Sequence, residues 1–172
     1  MRRLLIALAV ASALAGTVAA RVQTPVRGYH FDIFRPPPHA VIEGPVDGRV
    51  LLIIAKSNDT PPMNQVGRGL QSQPLFGVDV EGLNPGQSVA IDGTTRGWPV
   101  ESLRDIPPGD YYAQAVLNVY TTVTRADGYT IKVHLDRGEG QNYRTSPGNL
   151  VSDVTRIRID PRAGGAATVP PV

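Results

Sequence analysis

The chain has 172 residues, 41% of them hydrophobic, with 16 prolines, 18 glycines and no cysteine. Without cysteine there are no disulfides, thiolate nucleophiles or cysteine metal sites. Seventeen Lys+Arg against 15 Asp+Glu give a formal charge of +2; Arg2 and Arg3 supply that excess, so residues 21–172 are formally neutral and carry no basic field to attract nucleic acid or an anionic membrane.

Residues 1–20, MRRLLIALAVASALAGTVAA, have a basic start, a short apolar run and small residues ending in Val18-Ala19-Ala20. That is the layout of a Sec-type signal peptide, and the apolar run is short for a membrane span. We expect cleavage near Ala20 and a secreted or periplasmic product. Residues 21–28 read as a flexible leader. A single domain is expected over 29–160, since a chain of this size buries roughly 70% of its unfolded surface.

In YHFDIF, Tyr29, Phe31 and Ile33 alternate with polar residues as a strand does, and the prolines of RPPPHA end it. In VDGRVLLIIAKS we expect a turn at Val46-Asp47-Gly48, then a central strand from Val50 to Ala55, apolar on both faces. NDTPPMNQVGRGLQSQP reads as a long polar loop, LFGVDVEGL as a strand, NPGQ as a tight turn and SVAIDG as another strand. TTRGWPVESLRDI is irregular or holds one short helical turn. Its Trp98 is the only tryptophan; we expect it to plug the core at a sheet edge, the other reading being a glycan-stacking platform.

LRDIPPGDYYAQAVLNVY, residues 103–120, joins a proline–glycine turn to a long strand. A leucine, such a turn and a tyrosine opening a strand together read as the tyrosine corner of Ig-like sandwiches, with Leu103, Gly109 and Tyr111 at the corner. Period-two geometry then sends Ala113, Ala115, Leu117 and Val119 inward with Tyr111. Tyr112, Gln114, Asn118 and Tyr120 share the other face, our candidate contact face for a partner domain or glycan; the plainer reading is ordinary sheet or sheet lying under a loop. Asp127-Gly128 signals a type I′ hairpin. In the return strand Ile131, Val133 and Leu135 oppose Lys132 and His134. DRGEGQNYRTSPGN is a second long loop, and VTRIRID closes the domain with Ile157 and Ile159 inward and Arg156 and Arg158 outward. PRAGGAATVPPV, 161–172, has the composition of a disordered tail.

The chain has no G-x-S-x-G elbow or H-E-x-x-H. His30, His39 and His134 are not at metal-ligand spacing, and His134 reads as an exposed strand histidine. Asp47-Gly48, Asp92-Gly93 and Asp127-Gly128 read as turns rather than calcium loops. Asp79 and Glu81 share one strand face, whereas a glycosidase pair must flank a cleft. We therefore expect no cofactor, no metal and no catalysis.

SLRDIPPGDYYAQAVLNVY, RADGYT, GEGQ and SPGNL, within residues 75–152, together resemble the N-terminal region of a group of secreted bacterial proteins classed as esterases. In that group a β-sandwich-like segment precedes an α/β-hydrolase domain. The catalytic part would follow the last strand, so no catalytic residue carries over to positions 1–172. The resemblance implies an accessory domain, either standing alone or truncated. The sequence reading is thus an all-β, Ig/fibronectin-III-like antiparallel sandwich of about seven strands. It would bind a hydrolase domain or a glycan; the alternatives are a truncated member or subunit of a secreted esterase and a lone carbohydrate-binding module.

Overall fold

A computed structural model describes residues 28–35, 42–138, 140 and 142–169. The expected signal peptide, the leader up to residue 27 and His39 lie outside them. The described residues form ten strands and no α-helix. They are β1 (Tyr29–Phe34), β2 (Val46–Ala55), β3 (Leu75–Leu83), β4 (Ser88–Ile91), β5 (Gly97–Trp98), β6 (Gly109–Thr124), β7 (Thr130–His134), β8 (Leu150–Val151), β9 (Thr155–Ile159) and β10 (Gly165–Val169). Three-residue 3₁₀ turns lie at Pro62–Asn64 and Leu103–Asp105. Strands outnumber the expected seven because two-residue strands such as β5 and β8 carry no readable period.

Seven strands form an antiparallel sheet in the order β5-β3-β2-β6-β7, with β8 and β9 also paired to β6; the sheet curls into a half-barrel. The other three form a small sheet, β10-β1-β4. There β1 runs antiparallel to β4 but parallel to β10, with Tyr29 opposite Gly165 and Ile33 opposite Val169. The segment 165–169 is therefore a strand, not part of a disordered tail. Its backbone finds a full ladder on β1, and Val169 is completely buried.

The two sheets enclose the main core. Phe31 and Ile33 of β1, Ile91 of β4 and Val169 of β10 meet Val50, Leu52, Ile54, Phe76, Leu117 and Ile159 of the large sheet. Burying each such side chain stabilises the fold by about 1.5–3 kcal/mol. Arg35, just past β1, is 2% exposed and donates to the carbonyls of Leu83 and Ile42, which gives a buried cation two hydrogen-bond acceptors.

The apolar run of β2 divides between two cores. Val50, Leu52 and Ile54 enter the main core. Leu51 and Ile53 join Val116 of β6 on the outer face of the large sheet, beneath Met63, Val66 and Tyr143. Both long loops therefore have a structural task, because they cover the middle of a sheet that is apolar on both sides. Asp47 and Gly48 lie inside β2 rather than in a turn before it, at a register shift against β3. Gly48 is required there, since a Cβ would collide with the Asn118 carbonyl oxygen of β6.

The β6–β7 hairpin turns through Arg125–Tyr129. Gly128 N–H donates to Arg125 O at 2.9 Å and Arg125 N–H to Tyr129 O at 2.8 Å. Gly128 has φ +83° and, among the described residues, no non-glycine residue has positive φ. This is a three-residue turn with a glycine bulge, not the expected type I′ turn, which needs two positive φ values.

Candidate functional surface

The outer face of the large sheet carries the candidate residues, and the loops divide it. At the start of β6, Leu103 is 1% and Tyr111 4% exposed. The Tyr111 hydroxyl donates to Pro107 O at 2.7 Å, back across the turn. Lys56 Nζ caps the ring at 3.6 Å from its centroid, and Gly109 opens the strand beside both residues. Tyr112, half-buried, lies on the opposite face across from Arg156 of β9. Arg156 and Arg158 both lie within 4 Å of Asp110, at 3.8 and 3.6 Å.

The middle of the face is closed, so Gln114 and Asn118 are not open to a partner. Gln114 is 5% exposed; its Oε1 accepts from Met63 N–H at 3.1 Å and its Nε2 donates to Ser152 O at 3.2 Å. Met63 O in turn accepts from the Tyr143 hydroxyl at 3.0 Å and from Arg144 Nε at 2.8 Å. Met63 thus ties the first loop both to β6 and to the second loop. Strand parity places Gln114 and Asn118 on the right face, but it does not reveal what lies above them.

Asn118 belongs to a second buried network. Its Oδ1 accepts from Asn149 Nδ2 at 2.9 Å and lies 3.3 Å from His134 Nδ1. Ser146 Oγ is 3.2 Å from the same nitrogen and donates to Asn142 O at 2.9 Å. His134 is 9% exposed, not the exposed strand residue expected, because the connection after β7 folds back over it. The Ser–His pair was not legible in the sequence: the residues are twelve apart and only that fold-back joins them. The Ser146 hydroxyl donates to a backbone carbonyl, and His134 Nδ1 lies within hydrogen-bond reach of both Ser146 Oγ and Asn118 Oδ1.

Beyond the covered centre the face opens again. Tyr120 is half-buried above the Arg49–Asp79 pair, which is 2.8 Å apart. Burial, reinforced by Asp79, raises the Tyr120 phenol above its ordinary pKa, while Arg49 opposes this, so Tyr120 is a neutral hydroxyl at physiological pH. Lys132 Nζ bridges Glu81 Oε1 at 2.7 Å and Asp47 Oδ2 at 3.1 Å. Asp47 is held below the usual carboxylate range, first by the Gly82 N–H and then by Lys132. Asp79 and Glu81 therefore belong to two separate ion pairs. A shallow depression of about 170 Å³ lies among Asn118, Tyr120, Lys132 and His134.

At the far edge lies a wider groove, about 240 Å³, lined by Arg49, Leu51, Leu75, Gly77, Arg96 and Trp98. Trp98 is 48% exposed and does not plug the core. The register explains this. Gly97 lies opposite Phe76, whose buried ring leaves no room for a Cβ at 97, and Trp98 lies opposite Leu75 on the outer face. Gly77 leaves the groove floor open and lets Arg49 lie across it, with Arg49 Nη2 donating to Gly77 O at 3.1 Å. Arg96 forms no ion pair among the described residues. The groove thus offers an indole face and two leucines beside two guanidinium groups.

The remaining polar candidates hold turns or local contacts, apart from Asp47, which ties β2 to β3. Asp47 Oδ1 accepts from Gly82 N–H, Asp92 Oδ1 from Thr94 N–H and Oγ1, and Asp127 Oδ1 from Tyr129 N–H. His30 Nδ1 is 3.2 Å from Gly28 O and its Nε2 is 3.7 Å from Asp32. Among the described residues no cluster of His, Asp or Glu is placed to hold a metal ion, and no helix is long and apolar enough to cross a membrane. Comparison of the chain with protein-family models, curated proteins and solved structures found no match.

Proposed function

We propose that this protein is a secreted, non-catalytic binding module built on an Ig/fibronectin-III-like sandwich, with its contact surface on the open part of the outer sheet face. The observation that carries this reading is Trp98: a large apolar side chain, half exposed, beside Arg49, Arg96 and Leu75 in a groove. Exposed aromatics with adjacent donors mark contact surfaces because they bring large, rigid apolar area at low entropic cost. The Tyr111 corner supports the Ig-like assignment. The Ser146 hydroxyl, which donates to the Asn142 carbonyl, supports a structural role for the Ser146–His134 pair.

Two ligands fit the module. One is a hydrolase domain, as the esterase resemblance implies, for which Tyr120 and the ion pairs around it form a polar docking strip continuous with the groove. The other is a glycan, favoured by the open indole and its flanking leucines, which suit the apolar face of a sugar ring. Since Trp98 is the only tryptophan, its emission reports on the groove alone. Titration of the purified chain with soluble polysaccharides, and separately with a co-secreted hydrolase, is expected to change that emission for one of them. Aryl-ester hydrolysis by the purified chain is expected to be nil. Activity that survives further purification would favour the truncated-esterase alternative, and no emission change with any ligand would remove the groove from the account.

A further inference from the structure

Beyond Val119, its last partner position on β2, β6 continues with β7 as a two-stranded arm. Val123 and Ile131 are paired across it and are 42% and 39% exposed. Tyr129 at its turn is 72% exposed and Leu135 at its base 39%. By strand parity these residues continue the side of β6 that faces the core further back, but here they are left 39–72% exposed.

The arm also ends the sheet. Among the described residues β7 pairs only with β6. Because Arg125 N–H donates to Tyr129 O, alternation turns the backbone groups of Ile131 and Val133 toward β6 and those of Thr130, Lys132 and His134 toward the free edge. An unpaired edge of this kind is a template for another strand, and proteins commonly guard it with lysine. Lys132 stands at the centre of β7 but is drawn back onto its own sheet by Glu81 and Asp47, so its charge is already balanced.

We propose that β7 pairs antiparallel with β7 of a second copy about a two-fold axis at Ile131. This register sets Ile131 against itself, Tyr129 against Val133 and Lys132 against Thr130. It brings the free-edge groups of Thr130 and Lys132 into hydrogen-bonded pairs and joins the two apolar arm faces. A register one pair further along would place Lys132 against Lys132 and is disfavoured. The resulting contact is isologous, as two-fold dimers require. It leaves the Trp98 grooves at the two outer edges of one continuous sheet.

The chain has no cysteine, so Ile131→Cys is a clean probe. Residues facing each other at a non-hydrogen-bonded pair have Cα atoms about 4.5 Å apart, within disulfide reach. Sedimentation of the wild type at about 1–100 µM, the range suited to a small interface, is expected to show a monomer–dimer equilibrium. Ile131→Cys is expected to form a disulfide dimer, while Val123→Cys, equally exposed but one strand in, does not. Thr130→Pro removes one edge-facing N–H without removing a β6–β7 backbone hydrogen bond, at the loss of the 3.4 Å Thr124–Thr130 hydroxyl contact, and is expected to weaken association roughly tenfold or more, about 1.4 kcal/mol. A wild type monomeric throughout, cross-linking of Ile131→Cys no faster than Val123→Cys, or a dimer unaffected by Thr130→Pro would each overturn the proposal.

Discussion

Gly48 sits where β2 comes closest to β6, and its missing side chain is what permits the approach. Gly48→Ala would drive a methyl group into the Asn118 carbonyl. A destabilisation of about 1–3 kcal/mol is expected from such overpacking, measured as a lower denaturant midpoint with an unchanged slope. Tyr111 tests the corner at the same scale. Its ring is buried and its hydroxyl makes a single bond, to Pro107 O. Tyr111→Phe should therefore keep the packing and cost about 1 kcal/mol, whereas Tyr111→Ala removes the ring as well and should cost about 3–5 kcal/mol. If the two variants were equally stable, the corner would contribute nothing through packing. Asp47 gives the pH dependence. Its folded-state carboxyl is shifted down, so the tie from Asp47 to Lys132 and Gly82 is fully present above the ordinary carboxylate range near pH 4 and is lost as pH falls through the lower folded value. A carboxyl NMR titration should show Asp47 titrating below exposed aspartates.

At the scale of elements, the long loops are held by few and specific bonds. Gln114→Ala would leave Met63 N–H and Ser152 O without their partner. The expected cost is about 1–3 kcal/mol, with faster amide exchange confined to residues around 60–66 and 152. Equal protection in wild type and variant would mean that the loops are held mainly by the second core. The strand β10 makes a separate prediction. A chain ending at residue 164 loses the parallel partner of β1 and uncovers Phe31 and Ile33, so it should unfold at lower denaturant by several kcal/mol, since a single buried apolar side chain contributes about 1.5–3. The sequence discloses these elements unevenly. β2 and β6 are legible because each carries a long run of strand-forming residues next to turn signals, within strands of ten and sixteen residues. β10 is not, because Gly165-Ala166-Ala167 has no strong propensity and its partner lies more than 130 residues away. The same limit explains His134, Gln114 and Asn118: strand parity assigns a face, while burial depends on loops whose path no local pattern encodes.

On the scale of the whole molecule, the large sheet has three zones on its outer face and two different edges. The centre is sealed by loops, the β5 edge holds the Trp98 groove, and the β7 edge projects as an apolar arm. The all-β class was legible through strand and turn chemistry; the groove was not. Trp98 appeared to be a core residue because a lone tryptophan near a sheet edge gives no sign of which side it takes, and the deciding feature is Gly97, which yields the inner side to Phe76. The central functional claim is that contact occurs through this groove. The most direct test is retention of wild type and Trp98→Ala by a panel of immobilised polysaccharides and co-secreted hydrolases, with tryptophan emission followed in the wild type. The account predicts that one ligand retains the wild type and perturbs its emission, and that Trp98→Ala, folded by circular dichroism, binds it at least roughly tenfold more weakly, the loss expected of a contact residue costing more than 1 kcal/mol. Retention that is equal for the two proteins, or that leaves the emission unchanged, would contradict it.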